Sequence, residues 1–319
     1  MEQAYSVEDN HSIEDILCEA GRAGASDVHL VAGMPPKMRV GGALTEMGFS
    51  RVTSADTLDI LLGIMPQALR DRFEERGECV FSFALPEGGR CRANVYKQKG
   101  SVALALRLRA EEALSAEELG IPEPLMELSG KESGLVLLAG ASGSGKSTTL
   151  SAILNKISYS RECLVVTLED SVECLYAGGK ALISQREIGA DCGSRAEGIA
   201  AAVREDADVI AAGELGDRDS VLAAVGAAET GHLVFALLDA AGVADAVERI
   251  LDMFPAAGQE RLRWRLANVL EAVSFQRLRP VPEGTGRKAE FELLALDERM
   301  RLVLREGRSL DLAEVLGWG

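Results

Sequence analysis

Apolar and polar residues alternate with two different periods along the first third of the chain. Helical spacing predicts a helix from Ser12, which acts as its cap, to about Arg22, and a second helical stretch over residues 54–76. Alternating apolar and polar residues, bounded by glycine and proline, predict five strands, with the sequences DVHLVAG, KMRVGGAL, ECVFSFAL, GGRCRANVYKQ and SVALALRLR. We therefore predict a small α+β domain over residues 1–108.

The pattern changes after this domain. Residues 109–133 are polar and interrupted by proline, which predicts a linker. From Gly134 onward, helical stretches alternate with continuously apolar runs, namely GLVLLAG, CLVVTLED, DVIAAGEL and HLVFALLD. Such runs are typical of strands buried on both faces, and their alternation with helices indicates a parallel sheet. Residues 134–319 are therefore predicted to form an α/β domain.

A phosphate-binding loop is the strongest chemical signal in the sequence. The segment GASGSGKS fits GxxxxGK[ST] in full, between an apolar strand and the helical sequence STTLSAILNKI. Its glycines permit turns that direct N–H groups at phosphate oxygens, and the helix N-terminus adds positive charge. Lys146 is predicted to contact the β- and γ-phosphates of ATP, and Ser147 to bind Mg²⁺. The predicted nucleotide-binding residues here are Gly140, Ala141, Ser142, Gly143, Ser144, Gly145, Lys146, Ser147 and Thr148.

Acidic residues end two of the apolar runs. LVVTLED ends in Glu169 and Asp170, and DVIAAGE ends in Glu214. Because ligands bind at the carboxyl ends of strands in an open parallel sheet, we expect these carboxylates near the phosphates. One can hold Mg²⁺ through water, and another can orient and deprotonate the attacking water. Taken alone, each acid has a helix cap or a loop charge as its alternative role.

A further apolar run, HLVFALLD, begins with His232 and ends with Asp239. A single histidine at the start of a strand usually has a structural role. Because this strand is predicted in the same sheet as the loop, His232 is also a candidate contact for nucleotide or for a neighbouring subunit.

The composition restricts the class of partner. A formal net charge of -16 disfavours general binding to nucleic acid. The six cysteines show no CxxC spacing, so no zinc or redox motif is indicated, and we interpret them as buried thiols in a reducing compartment. No apolar run reaches membrane-spanning length, and the acidic start MEQAYSVEDN does not fit a secretory signal. We expect a cytoplasmic protein without a membrane span.

Together these motifs resemble the secretion and pilus motor ATPases, and among them the PilT-type enzymes of type IV pilus retraction. GASDVHLVAGMPPKMRVGG is similar to the family's opening segment, GASGSGKSTTL to its Walker A and VREDADVIAAGELGD to its Walker B. VVTLEDSVE is similar to the acidic box, and AAETGHLVFALLDA to the histidine box. ERILDMFP and LEAVSFQRLRP resemble the helices that follow, and RMRLVLREGR a diverged C-terminal motif associated with retraction. The resemblance covers nearly the whole chain.

This resemblance implies a RecA-like P-loop ATPase domain preceded by a smaller PAS-like α+β domain. It implies that Glu169 is the catalytic base and that Glu214 serves the magnesium site. Arginines of the N-terminal domain reach the phosphates in this family, so Arg92 and Arg107 are the candidates here. The implied assembly is a homo-hexamer, cytoplasmic and peripheral at the inner membrane. Its implied partners are the platform protein of the pilus machinery and paralogous motor ATPases.

Four features depart from the family's pattern. Asp239 stands where the histidine box ends in a second histidine, Ser171 where the acidic box has proline, and Gly216 where Walker B continues with arginine. The chain also ends soon after the retraction-like motif. An ionised Asp239 is expected to add negative charge near the triphosphate and to slow turnover by roughly a hundredfold. On this reasoning, Asp239→His raises turnover without tightening ATP binding to match.

Three functions are compatible with these features. The leading one is a hexameric motor that couples ATP hydrolysis to pilus retraction and twitching motility. The departures favour a second, a low-turnover accessory paralogue that binds nucleotide and regulates an active motor. The third is a pilus-assembly or type II secretion ATPase. Those relatives usually carry a four-cysteine zinc segment after the histidine box, whereas no cysteine follows Cys192 here.

Overall fold

Two compact units make up the chain. The computed structural model describes residues 12–85, 90–108, 115–172, 174–176, 179–280 and 287–307. The N-terminal unit comprises Met1–Glu112 and Ser171–Leu175, and the C-terminal unit comprises Ala113–Asp170 and Tyr176–Gly319.

An antiparallel sheet is the centre of the N-terminal unit. Its strands are β1 (Asp27–Val31), β2 (Lys37–Val40), β3 (Ala43–Glu46), β4 (Glu78–Ala84), β5 (Arg90–Gln98) and β6 (Ser101–Leu108). They are ordered β3-β2-β1-β6-β5-β4, and every neighbouring pair is antiparallel. The helices of this unit are α1 (Ile13–Arg22), α2 (Ser54–Ile64) and α3 (Arg70–Arg76). The predicted α+β composition of this region is confirmed.

Local sequence signals determine where these helices begin and end. Ser12 caps α1 through a reciprocal bond with Asp15, as predicted, and Thr53 caps α2 in the same way. Pro66 interrupts the helical stretch predicted over residues 54–76, because proline restricts the residue before it to extended conformations. A 3₁₀ turn at Gln67–Leu69 then leads into α3.

The core of the N-terminal unit is mostly aliphatic and includes two of the six cysteines. Leu30, Phe81 and Leu104 are among its fully buried side chains. Cys79 and Cys91 are buried, and burial raises the pKa of the Cys91 thiol to about 12. The other four cysteines are only partly buried, so the interpretation of all six as buried thiols was wrong.

A mostly parallel sheet is the centre of the C-terminal unit. Its strands are β7 (Gly134–Ala139), β8 (Leu164–Glu169), β9 (Leu182–Glu187), β10 (Val209–Glu214), β11 (Leu233–Leu238), β12 (Leu270–Pro280) and β13 (Arg287–Ala295). Their order is β13-β12-β7-β11-β10-β8-β9, and β12 with β13 is the antiparallel pair. The helices are α4 (Ala116–Leu119), α5 (Glu123–Glu127), α6 (Lys146–Ser160), α7 (Arg195–Arg204), α8 (Arg218–Glu229), α9 (Val243–Asp252), α10 (Ala256–Val269) and α11 (Glu298–Arg305). None of the helices in the described residues is long and apolar enough to cross a membrane.

Burial on both faces of this sheet explains the continuous apolar runs. All six residues of β11 are buried. Successive side chains of a strand point to opposite faces, so Val234 and Phe235 enter different apolar clusters. Each cluster is covered by helices, as expected for a parallel sheet.

Two segments of the C-terminal unit differ from the sequence-based expectation. LEAVSFQRLRP, interpreted as helical by resemblance, is strand β12. It pairs with β7 on one side and β13 on the other, and residues such as Val273 and Phe275 suit that buried position. The predicted linker 109–133 contains α4 and α5, and Leu125 and Met126 of α5 are buried in the core.

Candidate nucleotide-binding site

The loop between β7 and α6 has the backbone of an anion-binding turn. Gly140, Gly143 and Gly145 have φ angles of 152°, 75° and 92°, which residues other than glycine rarely adopt. Helix α6 begins at Lys146, and no side chain caps its N-terminal N–H groups. Uncapped N–H groups and the helix dipole together favour a bound anion, so this loop fits phosphate.

Gln276 of β12 supports the loop from the side. Its Nε2 donates a 2.9 Å hydrogen bond to Ser144 O, and its side chain is buried. The Ser144 Oγ and Gln276 Oε1 atoms are also buried, and neither has a hydrogen-bond partner among the described residues. Such orphaned polar atoms are rare, and their presence in and beside the loop fits a site built for a polar ligand. Sequence reasoning missed Gln276 because its segment was interpreted as helical.

Lys146 lies inside the loop and forms an ion pair. Its side chain is 7% exposed, and Nζ donates to Gly140 O at 2.9 Å and to Ala141 O at 3.1 Å. Its third partner is Asp239 Oδ1 at 2.6 Å. Asp239 directly follows β11, the strand beside β7, so the two residues meet at the carboxyl ends of these parallel strands. Asp239 therefore pairs with Lys146 in this structure, and the expected effect of its charge on turnover stays a prediction.

Glu169, at the end of β8, is held by two donors. Its Oε1 accepts hydrogen bonds from Thr167 Oγ1 at 2.6 Å and from Gln185 Nε2 at 3.0 Å. Thr167 and Glu169 lie two residues apart on one face of β8, and Gln185 is the register partner of Thr167 on β9. These bonds orient the carboxylate, as a general base requires.

Glu214, at the end of β10, is exposed and lies closer to the loop than Glu169 does. The strand order places β10 two strands from β7 and β8 three strands from it. With strands about 4.8 Å apart, these strand ends lie roughly 10 and 14 Å from the end of β7. The described residues contain no group of three or more His, Cys, Asp or Glu that could hold a metal ion. Mg²⁺ is commonly held by one or two protein oxygens plus substrate phosphates, a role that Ser147 and Glu214 fit.

A buried arginine connects the two strands that carry these acids. Arg195 opens α7, and its Nη1 donates to Leu168 O at 2.7 Å and to Ala212 O at 2.8 Å. Its Nη2 donates to Asp170 Oδ1 at 2.8 Å. Sequence reasoning missed Arg195, because it belongs to no motif and lies far along the chain from its partners.

His232 lies at the amino ends of the parallel strands, whereas the loop lies at their carboxyl ends. It precedes β11 whereas Asp239 follows it, so about 20 Å of strand separates them. Its Nδ1 donates to Ala227 O at 2.9 Å and lies 3.1 Å from Thr230 Oγ1. Within one chain the structure does not bring His232 to the loop, and a contact with a neighbouring subunit's nucleotide stays a prediction.

Arg92 and Arg107 lie side by side in the N-terminal sheet. The register pairs Arg92 of β5 with Arg107 of β6, Arg107 with Asp27 of β1, and Asp27 with Arg39 of β2. Register partners share a face, so these four residues form a line of charges, the arginine row. Burial alone raises the pKa of Asp27, but hydrogen bonds from Arg107 and Ser26 hold that pKa below its ordinary value. Contact of Arg92 or Arg107 with phosphate stays a prediction.

Of two further departures from the family's pattern, one makes a new contact and the other does not alter the packing. Ser171 forms a hydroxyl–hydroxyl hydrogen bond with Ser82 of β4, which proline could not form. At Gly216 a Cβ would meet no heavy atom within 4 Å, so the packing does not require glycine there.

Comparison with known proteins agrees with this architecture. The family model described as Type II/IV secretion system protein matches residues 81–304. The type IV pilus retractation ATPase PilT of Pseudomonas aeruginosa is 34% identical over 307 residues, 96% of this chain and 89% of that protein. The Escherichia coli K12 protein YggR, described as uncharacterized, is 40% identical over 308 residues, 97% and 93% of the two chains. The crystal structure of the pilus retraction motor PilT with bound ADP has a TM-score of 0.88 and 39% identity, covering 96% of this chain and 89% of that one.

The fold and the loop define a RecA-like P-loop domain preceded by a smaller α+β domain, and the predicted fold class is confirmed. With these comparisons, the chain belongs to the Type II/IV secretion system protein family, a family of secretion and pilus ATPases. Within that family it is PilT-like.

Proposed function

We propose that the protein is a motor ATPase that couples ATP hydrolysis to type IV pilus retraction, and thereby to twitching motility. The observation that carries this proposal is that two features lie together at the carboxyl ends of the parallel strands. The first is a phosphate-binding loop with a buried lysine, and the second is a glutamate held in place by two donors. Similarity to the retraction ATPase PilT over nearly the full chain supports the choice of motor.

The binding roles follow from the loop. Backbone N–H groups of residues 140–148 surround the phosphates, and Lys146 neutralises charge on the β- and γ-phosphates. Ser147, and Glu214 through water, would hold Mg²⁺ beside the phosphates. When bound, the ion would supply Lewis-acid stabilisation of the charge that develops during phosphoryl transfer.

The chemical role falls to Glu169. Its carboxylate accepts a proton from the water that attacks the γ-phosphate. Thr167 and Gln185 hold the carboxylate in one orientation, so little reorganisation is needed as the reaction proceeds. Asp239 must release Lys146 before that lysine can bind phosphate.

The proposed assembly is a homo-hexamer, which allows one subunit to complete the site of the next. Arg92 and Arg107 of the N-terminal sheet then contact the phosphates of a neighbouring subunit, and His232 is a further candidate for contact with that subunit's nucleotide. The ring is cytoplasmic and peripheral at the inner membrane, through the platform protein of the pilus machinery, and works with paralogous motor ATPases. We infer these partners from the resemblance of the sequence to PilT-type motors.

A second candidate function is a low-turnover paralogue that regulates an active motor. The Asp239–Lys146 ion pair favours it, because a lysine already neutralised by a carboxylate is less available to phosphate. Steady-state hydrolysis by the purified protein separates the two candidates. Turnover that is lost in Glu169→Gln supports a motor. Undetectable turnover, together with stimulation or inhibition of a paralogue, supports the regulatory role.

A cellular experiment tests the link to pili. Deletion of the gene should leave cells hyperpiliated and without twitching, and wild-type protein should restore both properties. Glu169→Gln should restore neither, because it removes the base. Normal piliation and twitching in the deletion strain would exclude retraction as the function.

A further inference from the structure

The hydrogen-bond ladder between β8 and β10 ends before the two acids. Its register runs from Val165–Val209 to Thr167–Ala211, and β10 is irregular between Ala211 and Gly213. The carbonyls of Leu168 and Ala212 therefore lie beyond the last β8–β10 pair. Arg195 Nη1 donates to both of them, so one guanidinium replaces the missing rungs of the ladder.

The strand backbone is shaped around this guanidinium. Gly213 has a φ angle of 67°, and a Cβ there would collide with Arg195 Nη1 and with Leu168 O. Glycine is thus required where β10 approaches the arginine. The Arg195 side chain is itself buried, and Asp170 balances its charge.

We propose that Arg195 is a positioning residue, which fixes the separation of the catalytic base Glu169 from the magnesium-site residue Glu214. This inference rests on the proposed function. Leu168 immediately precedes Glu169, and Ala212 lies two residues before Glu214, so the guanidinium holds the backbone of both. Its planar, fixed fork of donors suits this task, whereas a lysine ammonium is a flexible point charge.

The experiment compares Arg195→Met with Arg161→Met in the full-length protein. Arg161 is a matched control, because its Nη1 also donates to two carbonyls, those of Ser129 and Lys131, both at 2.9 Å. It follows the C-terminal end of α6, the opposite end from the loop. The readouts are kcat, the KM for ATP, the Mg²⁺ concentration for half-maximal rate, the Mg²⁺-dependent gain in ADP affinity, and the thermal midpoint.

Arg195→Met should lower kcat by between about tenfold and a hundredfold, because a misplacement of about 1 Å can cost that much. The half-saturating Mg²⁺ concentration should rise several-fold, with the KM for ATP changed by less than about threefold. Arg161→Met should lower the thermal midpoint but leave kcat and the Mg²⁺ dependence unchanged. Where Arg195→Met fails to fold, Arg195→Lys should show the same pattern at smaller amplitude.

A folded Arg195 variant with wild-type kcat and wild-type Mg²⁺ dependence would overturn the proposal. Equal losses of kcat in the Arg195 and Arg161 variants would also overturn it, because they would indicate general destabilisation. If the wild-type protein hydrolyses no ATP, the proposed function fails by itself. The Mg²⁺-dependent gain in ADP affinity then still tests Arg195, since that gain should shrink in Arg195→Met and persist in Arg161→Met.

Discussion

The ion pair between Asp239 and Lys146 leads to a direct prediction about nucleotide affinity. To reach the β- and γ-phosphates, Lys146 must give up the Asp239 carboxylate at 2.6 Å. Asp239→Asn keeps the size of the side chain and removes the competing charge. We therefore expect tighter ATP binding in this variant. The expectation from the sequence alone concerned Asp239→His and placed the gain in turnover rather than in affinity.

The size of the effect follows from the distance and the exposure. Opposite unit charges 2.6 Å apart attract by about 6 kcal/mol at an effective dielectric of 20, and by about 1.6 kcal/mol in water. Asp239 is 42% exposed, so solvent screening keeps the pair near the lower value. Because about 1.4 kcal/mol corresponds to a tenfold change in affinity, we expect a gain of about tenfold.

Calorimetric titration with a non-hydrolysable ATP analogue measures this gain. Glu205→Gln is the matched control, because Glu205 pairs with Arg186 at 2.9 Å and its side chain is 44% exposed. It changes the net charge by the same amount and should leave the affinity unchanged. AMP is the matched ligand control, since it lacks the phosphates that Lys146 contacts. Its affinity should be equal in wild type and Asp239→Asn.

Two results would refute this reasoning. An ATP affinity within about twofold of wild type in Asp239→Asn would mean that Asp239 does not compete for Lys146. An equal gain in Asp239→Asn and Glu205→Gln would assign the effect to the net charge of the chain. In the second case the ion pair would have no specific role in binding.

Three further predictions concern the motor itself. Lys146→Ala should abolish hydrolysis and strongly weaken ATP binding, because it removes the main side-chain charge on the phosphates; unchanged affinity by calorimetry contradicts this. Glu169→Gln should bind Mg-ATP nearly normally and hydrolyse it about 10²–10⁴-fold more slowly. Near-wild-type turnover in that variant, with Glu214→Gln inactive, would exchange the two roles. Light scattering should detect a six-subunit ring with an ATP analogue present, whereas a strict monomer at micromolar protein, with or without the analogue, counts against a motor.

The sheet of the C-terminal unit was predictable wherever burial on both faces left a continuous apolar run. Strands β7, β8, β10 and β11 were predicted for that reason. Strand β9 was not, because it is an edge strand with the polar sequence LISQRE. Strand β12 was misinterpreted because its segment was assigned as helical by family resemblance rather than from its own pattern. Its last residues extend beyond β7 and pair only with β13, so its polar and apolar positions follow no single period that would have corrected the assignment.

The site was predictable only as far as short motifs reach. The loop, Glu169 and Glu214 lie in such motifs. The contacts that organise them join residues far apart in the chain. Gln276 and Ser144 are separated by 132 positions, and Lys146 and Asp239 by 93. Side-chain contacts over these separations leave no periodic pattern, so the partner of Lys146 became visible only in the folded chain.

The arginine row has a consequence for how the protein responds to ionic strength. Three arginines and one aspartate give the row a formal charge of +2, opposite in sign to the chain's -16. The field of exposed charges such as Arg107 decays over about 8 Å in physiological salt and about 3 Å at 1 M. Lys146 is buried, so salt screens it much less. Any attraction of the arginine row for an anion therefore acts over a short range and is weakened by added salt. The attraction of the loop for phosphate is weakened much less.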